Sequence, residues 1–148
     1  SKDFLQKYFK KELFFTDVEG KTKDEVLKNL CRKVEQEKGL PETFTASVLK
    51  REELTPTDYG NLVALPHPER AFQERAFVAV AVLKEPIFWF RQKVQVVFLT
   101  AIGREEDENL QQFYEATTDL ILRPADVQNL IRHPDYDRLI QLLRRAEE

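Results

Sequence analysis

Methionine is absent from the 148 residues, cysteine occurs once, histidine twice and glycine four times. Each scarcity excludes a class of chemistry. A lone cysteine, Cys31, cannot form an internal disulfide, and with His67 and His133 it supplies too few soft ligands for a structural zinc site. The glycines Gly20, Gly39, Gly60 and Gly103 are too far apart to cradle a dinucleotide or nucleotide phosphate. The only serines are Ser1 and Ser47, and neither lies in a Gly-x-Ser-x-Gly elbow. The longest apolar run, Ala76 to Leu83, is far too short to span a bilayer. No charged-then-apolar segment opens the chain as a secretory leader would, so a reducing cytoplasm is the expected compartment. The missing methionine at position 1 fits either a removed initiator or a piece of a longer polypeptide.

Charge is close to balanced. There are 23 basic and 26 acidic side chains, a net charge of -3, and neither half of the chain is basic. That argues against a nucleic-acid clamp or an anionic-membrane binder. Hydrophobic residues at 42% and charged residues at 33% describe a well-solvated protein with material for one core, and residues 1–148 are expected to form one domain.

The spacing of apolar residues predicts a helix over Phe4–Lys11 and a short strand over Leu13–Thr16. Thr22, followed by Glu25, forms a capping box, and Gly39 marks the stop of a helix over 22–38. A next helix opens at Pro41 and ends near Glu53, and Thr55–Gly60 reads as a loop. Strands are expected at Leu62–Leu65, Phe77–Leu83 and Val94–Ala101, with Pro86–Phe90 as an apolar connection. Helices follow at roughly 106–121, from Pro124 to Ile131, and from Pro134 onward. Strands set among helices imply an α/β fold, a mixed central sheet with helices on both sides in three layers.

Few residues are candidates for chemistry. Cys31 lies on the apolar face of its helix and reads as a buried small hydrophobe. The run Glu105–Glu108 reads as a solvated first turn that favours a helix dipole, and His133 as a C-terminal cap before Pro134. His67 differs from these. It follows a short buried strand and is held between Pro66 and Pro68, which fix where the imidazole points. A strand end opening into a loop is where α/β sheets present reactive groups.

The stretch Val48 to His67 contains Arg51-Glu52, then Thr57, Gly60 and a small apolar strand through Ala64 that ends in Pro66-His67. This pattern resembles the signature of the fructose/mannitol-type EIIA domains of the bacterial phosphoenolpyruvate:sugar phosphotransferase system. The resemblance extends over nearly the whole chain, including the order of its elements. It implies that His67 accepts a phosphoryl group, on Nε2, from phosphohistidine of the carrier protein HPr, and passes it on without a metal or other cofactor. Neutral imidazole has the lone pair such an acceptor needs. Arg51 offers a planar fork of donors to phosphate oxygens, against an ordinary surface ion pair with Glu52 or Asp58. Thr57 has a hydroxyl for the same oxygens or for capping the loop, and Gly60 lets the backbone turn tightly or approach the site.

One departure from the pattern concerns a second histidine that many such domains carry at the start of the helix after the last strand. Asn109 stands there, and an amide can hydrogen-bond but cannot carry a charge. Asn109 is either part of the site or a plain helix-start residue. The Pro66-His67-Pro68 run and the segment from Pro86 to Trp89 resemble EIIA-like domains at the C-terminus of multidomain transcriptional regulators. There, phosphorylation tunes the regulator through its upstream domains. Two alternatives stand beside that reading: a free phosphocarrier that serves an EIIB, and an interaction module that has lost the transfer.

Overall fold

The computed structural model describes residues 4–145. The chain opens with a single helical turn, α1 (Leu5–Tyr8), which passes directly into β1 (Phe9–Phe15). Two helices follow, α2 (Lys23–Lys38) and α3 (Thr43–Leu54). Then come the short strands β2 (Asp58–Gly60) and β3 (Val63–Ala64), and the long strands β4 (Phe77–Phe88) and β5 (Lys93–Ala101). Three helices complete the described residues: α4 (Leu110–Ile121), α5 (Pro124–Arg132) and α6 (Tyr136–Arg145). The five strands form one mixed sheet in the order β1-β4-β5-β3-β2. β4 and β5 pair antiparallel, while β1 on β4 and β3 on β5 are parallel.

The pleat of β4 sorts its side chains between two cores. Val78, Val80 and Val82 face α1, α4, α5 and α6, and Phe77, Ala79, Ala81 and Leu83 face α2 and α3. Burial on both faces is why this strand reads as a continuous apolar run. The α/β/α layering expected from the sequence is thus the fold observed. α2 begins as expected, with the Thr22 hydroxyl accepting from the Glu25 N–H at 3.2 Å, and ends at Gly39 in the left-handed conformation at φ 66°.

Four boundaries differ from the sequence expectation. The helix expected over Phe4–Lys11 stops at Tyr8, and the strand expected over Leu13–Thr16 begins already at Phe9. Phe9 pairs with Val78 and packs edge-on to Phe98, so sheet pairing overrides the local helical spacing. Pro86–Phe90 is not simply a connection. β4 continues to Phe88, with Ile87 opposite Val94, and the register shift between Val82 and Ile87 accommodates Pro86 where a ladder bond is already lost. The stretch expected as a loop, Thr55–Gly60, contains β2, which pairs with β3. Finally, α4 begins at Leu110 rather than near 106, so Glu105–Glu108 precede the helix instead of forming its first turn. Asp107 Oδ1 there accepts the Asn109 N–H at 2.9 Å, a local turn that competes with helix.

Candidate functional site

β3 carries the chain out of the sheet into Leu65, Pro66, His67 and Pro68. Thr100 donates its N–H to Pro66 O at 3.0 Å, which fixes this exit beside the C-terminal end of β5. Pro66 and Pro68 are buried, and His67 between them is half-buried. Its Nδ1 lies 3.1 Å from Leu65 O. A carbonyl oxygen only accepts, so Nδ1 carries the proton and the lone pair of the neutral ring is on Nε2.

Arg51 is brought toward this loop by α3. The loop runs antiparallel to the helix. Phe72 packs edge-on to Phe44 with ring centroids 5.4 Å apart, and the Glu69 N–H donates to Ser47 Oγ at 2.7 Å. Moving back from Phe72 through Glu69 to His67 therefore moves forward along α3 from Phe44 through Ser47. Arg51 is the next residue on the Ser47 face, one turn further on. Its Nη1 donates to Thr55 O at 2.9 Å and caps the helix. Among the described residues Arg51 pairs with neither Glu52 nor Asp58.

Thr57 lies beside Leu65, whose N–H donates to Thr57 O at 3.0 Å. The Thr57 hydroxyl donates to Glu52 Oε1 at 2.7 Å, so its proton is engaged while its oxygen lone pairs remain. Gly60 sits at the opposite end of β3, paired with Val63. Its φ is 125°, and a Cβ there would meet only Gln92 Oε1 at 3.6 Å, so the demand for glycine comes from the turn. Asn61 and Leu62 continue that turn, also at positive φ.

The N-terminus of α4 lies at the His67 end of the sheet. Asn61 Nδ2 donates to Ile121 O at 2.7 Å, which fixes the far end of α4 at the start of β3. At the near end, Phe113 stacks on Tyr8 at 4.7 Å and lies 5.8 Å from Phe9. Phe9 pairs with Val78, and Val78 with Thr100, the residue bonded to Pro66. Asn109 precedes Leu110 as the N-cap residue, and its amide makes no capping bond. The buried Tyr8 hydroxyl faces Asp107 without directed hydrogen-bond geometry. Burial, reinforced by that carboxylate, pushes the Tyr8 phenol well above its ordinary range, and the phenol in turn holds Asp107 below its own.

The remaining candidates are structural. Cys31 is fully buried, and burial pushes its thiol far above the usual range. His133 caps the C-terminus of α5, its N–H donating to Asn129 O at 2.9 Å.

Sequence reasoning missed three residues as site elements. Glu52 is 1% exposed and receives three donors: the Thr57 N–H, the Thr57 hydroxyl and Trp89 Nε1 at 3.0 Å. Ser47 tethers the His67 loop, and Leu65 presents the carbonyl that orients the imidazole. A glutamate among charged neighbours on a helix carries no sign of burial. Ser47 lies one helical turn from Arg51, and that spacing was the available signal.

These features define a three-layer α/β domain that presents one half-buried histidine at the exit of a parallel strand, with Nδ1 turned to the Leu65 carbonyl. Residues 7–146 match the family described as phosphoenolpyruvate-dependent sugar phosphotransferase system, EIIA 2, and the chain belongs to that family. It is 36% identical over 138 residues to the probable licABCH operon regulator of Bacillus subtilis (strain 168), covering 93% of this chain and 22% of that protein. It is 27% identical over 120 residues to the transcriptional regulator ManR of the same organism, covering 81% of this chain and 18% of that protein. The chain thus spans 22% and 18% of the lengths of these two regulators. Its fold matches IIA-Ntr of Neisseria meningitidis with a TM-score of 0.76 at 19% identity, over 95% of this chain and 99% of that one. It matches Escherichia coli enzyme IIAMTL, solved in complex with phosphorylated enzyme IIBMTL, with a TM-score of 0.74 at 18% identity, over 91% and 97%. No helix among the described residues is long and apolar enough to cross a membrane.

Proposed function

We propose that this chain is a phosphohistidine-accepting regulatory domain, a single cytoplasmic unit that serves a larger transcriptional regulator. The observation that carries the reading is the Nδ1 contact of His67 with Leu65 O, which leaves Nε2 as the nucleophile on a half-exposed ring. The P–N bond of phosphohistidine on HPr breaks as a P–N bond forms at His67 Nε2. The donor ring, protonated on its second nitrogen, leaves as neutral imidazole, and His67 keeps its Nδ1 proton, so the step balances with no metal or co-reactant.

Transfer of this kind is mostly positioning and charge stabilisation. Arg51, directed along α3 toward the loop, turns its remaining guanidinium donors to the equatorial oxygens. Asn109 and the N-terminus of α4 add neutral donors where the resembling domains carry a second histidine. Thr57 holds the strand that leads to His67, and Gly60 supports that strand through its turn. Ile102 and Tyr114 are exposed at this end and offer apolar surface to HPr. The phosphoryl group adds a charge of about -1.5 to -2, enough to change how an upstream domain packs against this one.

A second reading, a free carrier that hands the group to an EIIB, draws on the fold shared with IIAMTL, a protein solved with its IIB partner. Two measurements separate these readings from each other and from a non-transferring module. Intact mass after incubation with phosphoenolpyruvate, enzyme I and HPr should show one acid-labile phosphoryl group, absent in His67→Ala. Arg51→Ala should label on the order of a hundredfold more slowly. Rapid loss of the label to an added EIIB would favour the carrier. No labelling of the unaltered chain, beside a control EIIA that labels, would favour the module.

A further inference from the structure

The proposed acceptor is joined to a buried carboxylate by an unbroken series of hydrogen bonds. His67 Nδ1 donates to Leu65 O at 3.1 Å. The Leu65 N–H donates to Thr57 O at 3.0 Å. The Thr57 N–H and hydroxyl both donate to Glu52, at Oε2 and Oε1 respectively. Glu52 Oε2 also accepts from Trp89 Nε1 at 3.0 Å. The backbone of Leu65 is thus held on both sides of its Cα, its carbonyl by the imidazole and its N–H by a residue locked to Glu52.

We infer that Glu52 is a positioning residue for His67, anchoring the Leu65 backbone through Thr57 and thereby holding in place the carbonyl that keeps the imidazole in the Nδ1–H tautomer. This deepens the proposed function and rests on His67 being the acceptor. Glu52 does not touch the reacting nitrogen. It suits this role because an ionised carboxylate is acceptor-only and meets three donors without competition. Burial makes the arrangement sensitive to a single missing acceptor, since an unpaired donor there has no water to turn to. Arg51 precedes Glu52 on the same turn of α3 and donates to Thr55 O at 2.9 Å. Trp89 adds a third strut, from the β4–β5 turn, where Asp58 Oδ2 accepts the Arg91 and Gln92 N–H groups at 2.8 and 3.0 Å.

The test is Glu52→Gln, which replaces one acceptor oxygen by a donor of the same shape: at Oε2 it opposes both Trp89 Nε1–H and the Thr57 N–H, and at Oε1 it makes the Thr57 hydroxyl turn its proton away. The readout is the pair of imidazole 15N shifts of His67 in the unphosphorylated chain, which distinguish the two neutral tautomers directly. The unaltered chain should show the Nδ1–H pattern. Glu52→Gln should move the shifts toward a mixture and slow phosphoryl acceptance by on the order of ten- to a hundredfold. Thr57→Val keeps the backbone N–H but removes the hydroxyl, and it should move both readouts in the same direction by less. It also decides the matter should Glu52→Gln fail to fold. A folded Glu52→Gln chain with unaltered His67 shifts and labelling rate would overturn the inference, as would an unaltered signature in Thr57→Val when Glu52→Gln does not fold. If the unaltered chain takes up no phosphoryl group, the acceptor reading fails by itself, and the imidazole signature still decides the positioning claim.

Discussion

The hydroxyl of Ser47 and the backbone N–H of Glu69 meet at 2.7 Å, and that one bond sets the His67 loop against α3. It fixes the register in which Phe72 lies on Phe44. On the proposed function, this tether serves the placement of His67 for transfer more than it serves folding.

Ser47→Ala is therefore expected to cost only about 0.5–1.5 kcal/mol of stability, because the Glu69 N–H is partly exposed and water can replace the lost acceptor. Phosphoryl acceptance should fall by more than this, on the order of tenfold, as the loop loosens from Arg51. Urea midpoints and labelling time courses on the same preparation separate the two. A labelling rate unchanged alongside a lowered midpoint would show that the tether serves stability alone.

Gly103 leaves β5 against the backbone of the preceding loop. A Cβ there would lie 2.6 Å from Arg75 C and 2.7 Å from Ala76 N. These are backbone atoms, flanked by the Arg104 N–H to Gln73 O bond at 3.1 Å and the Glu105 N–H to Glu74 O bond at 2.9 Å, so neither side can yield easily. Gly103→Ala should destabilise the domain by about 1–3 kcal/mol through overpacking. Thermal melting checks this, and a Tm equal to that of the unaltered chain would contradict it.

Alkaline pH should weaken the fold. Cys31 and Tyr8 both hold their protons more tightly in the folded chain than in the unfolded one, chiefly because burial disfavours the thiolate and the phenolate. The unfolded chain releases these protons from about pH 8.5 for the thiol and about pH 10 for the phenol. Above those values it binds fewer protons than the folded chain, so stability falls as pH rises. Below pH 8 both groups are protonated in either state and contribute no pH dependence. Urea midpoints should decline from pH 8 to pH 10, and less steeply in Cys31→Ala. A flat profile over that interval would contradict the assignment.

The sequence carried the layered architecture and its central histidine because both are written in local patterns. β4 announces itself by an unbroken apolar run and β5 by one interrupted at Gln95, α2 by its capping box and Gly39 stop, and His67 by its place within a spaced motif. What was not legible depends on partners distant along the chain. Phe9 joins a helical pattern locally and becomes a strand only because Val78 is there to pair with it. Phe88 extends β4 because Lys93 faces it across the turn. Glu52 belongs to the spaced motif, but its burial shows only once Trp89, 37 residues later, closes over it. The sequence therefore offered His67, Arg51, Thr57, Gly60 and Asn109 as site residues, while the bonds of Ser47, Glu52 and the Leu65 carbonyl came only from the fold.

On the proposed function, phosphorylation occurs on one nitrogen of one residue. The most direct measurement is 15N NMR of the phosphorylated, 15N-histidine-labelled chain, which distinguishes the two phosphoimidazole isomers. The phosphoryl group should appear on Nε2 of His67, with the Nδ1 proton retained in its bond to Leu65 O and His133 unmodified. A phosphoryl group on Nδ1, or on His133, would contradict it.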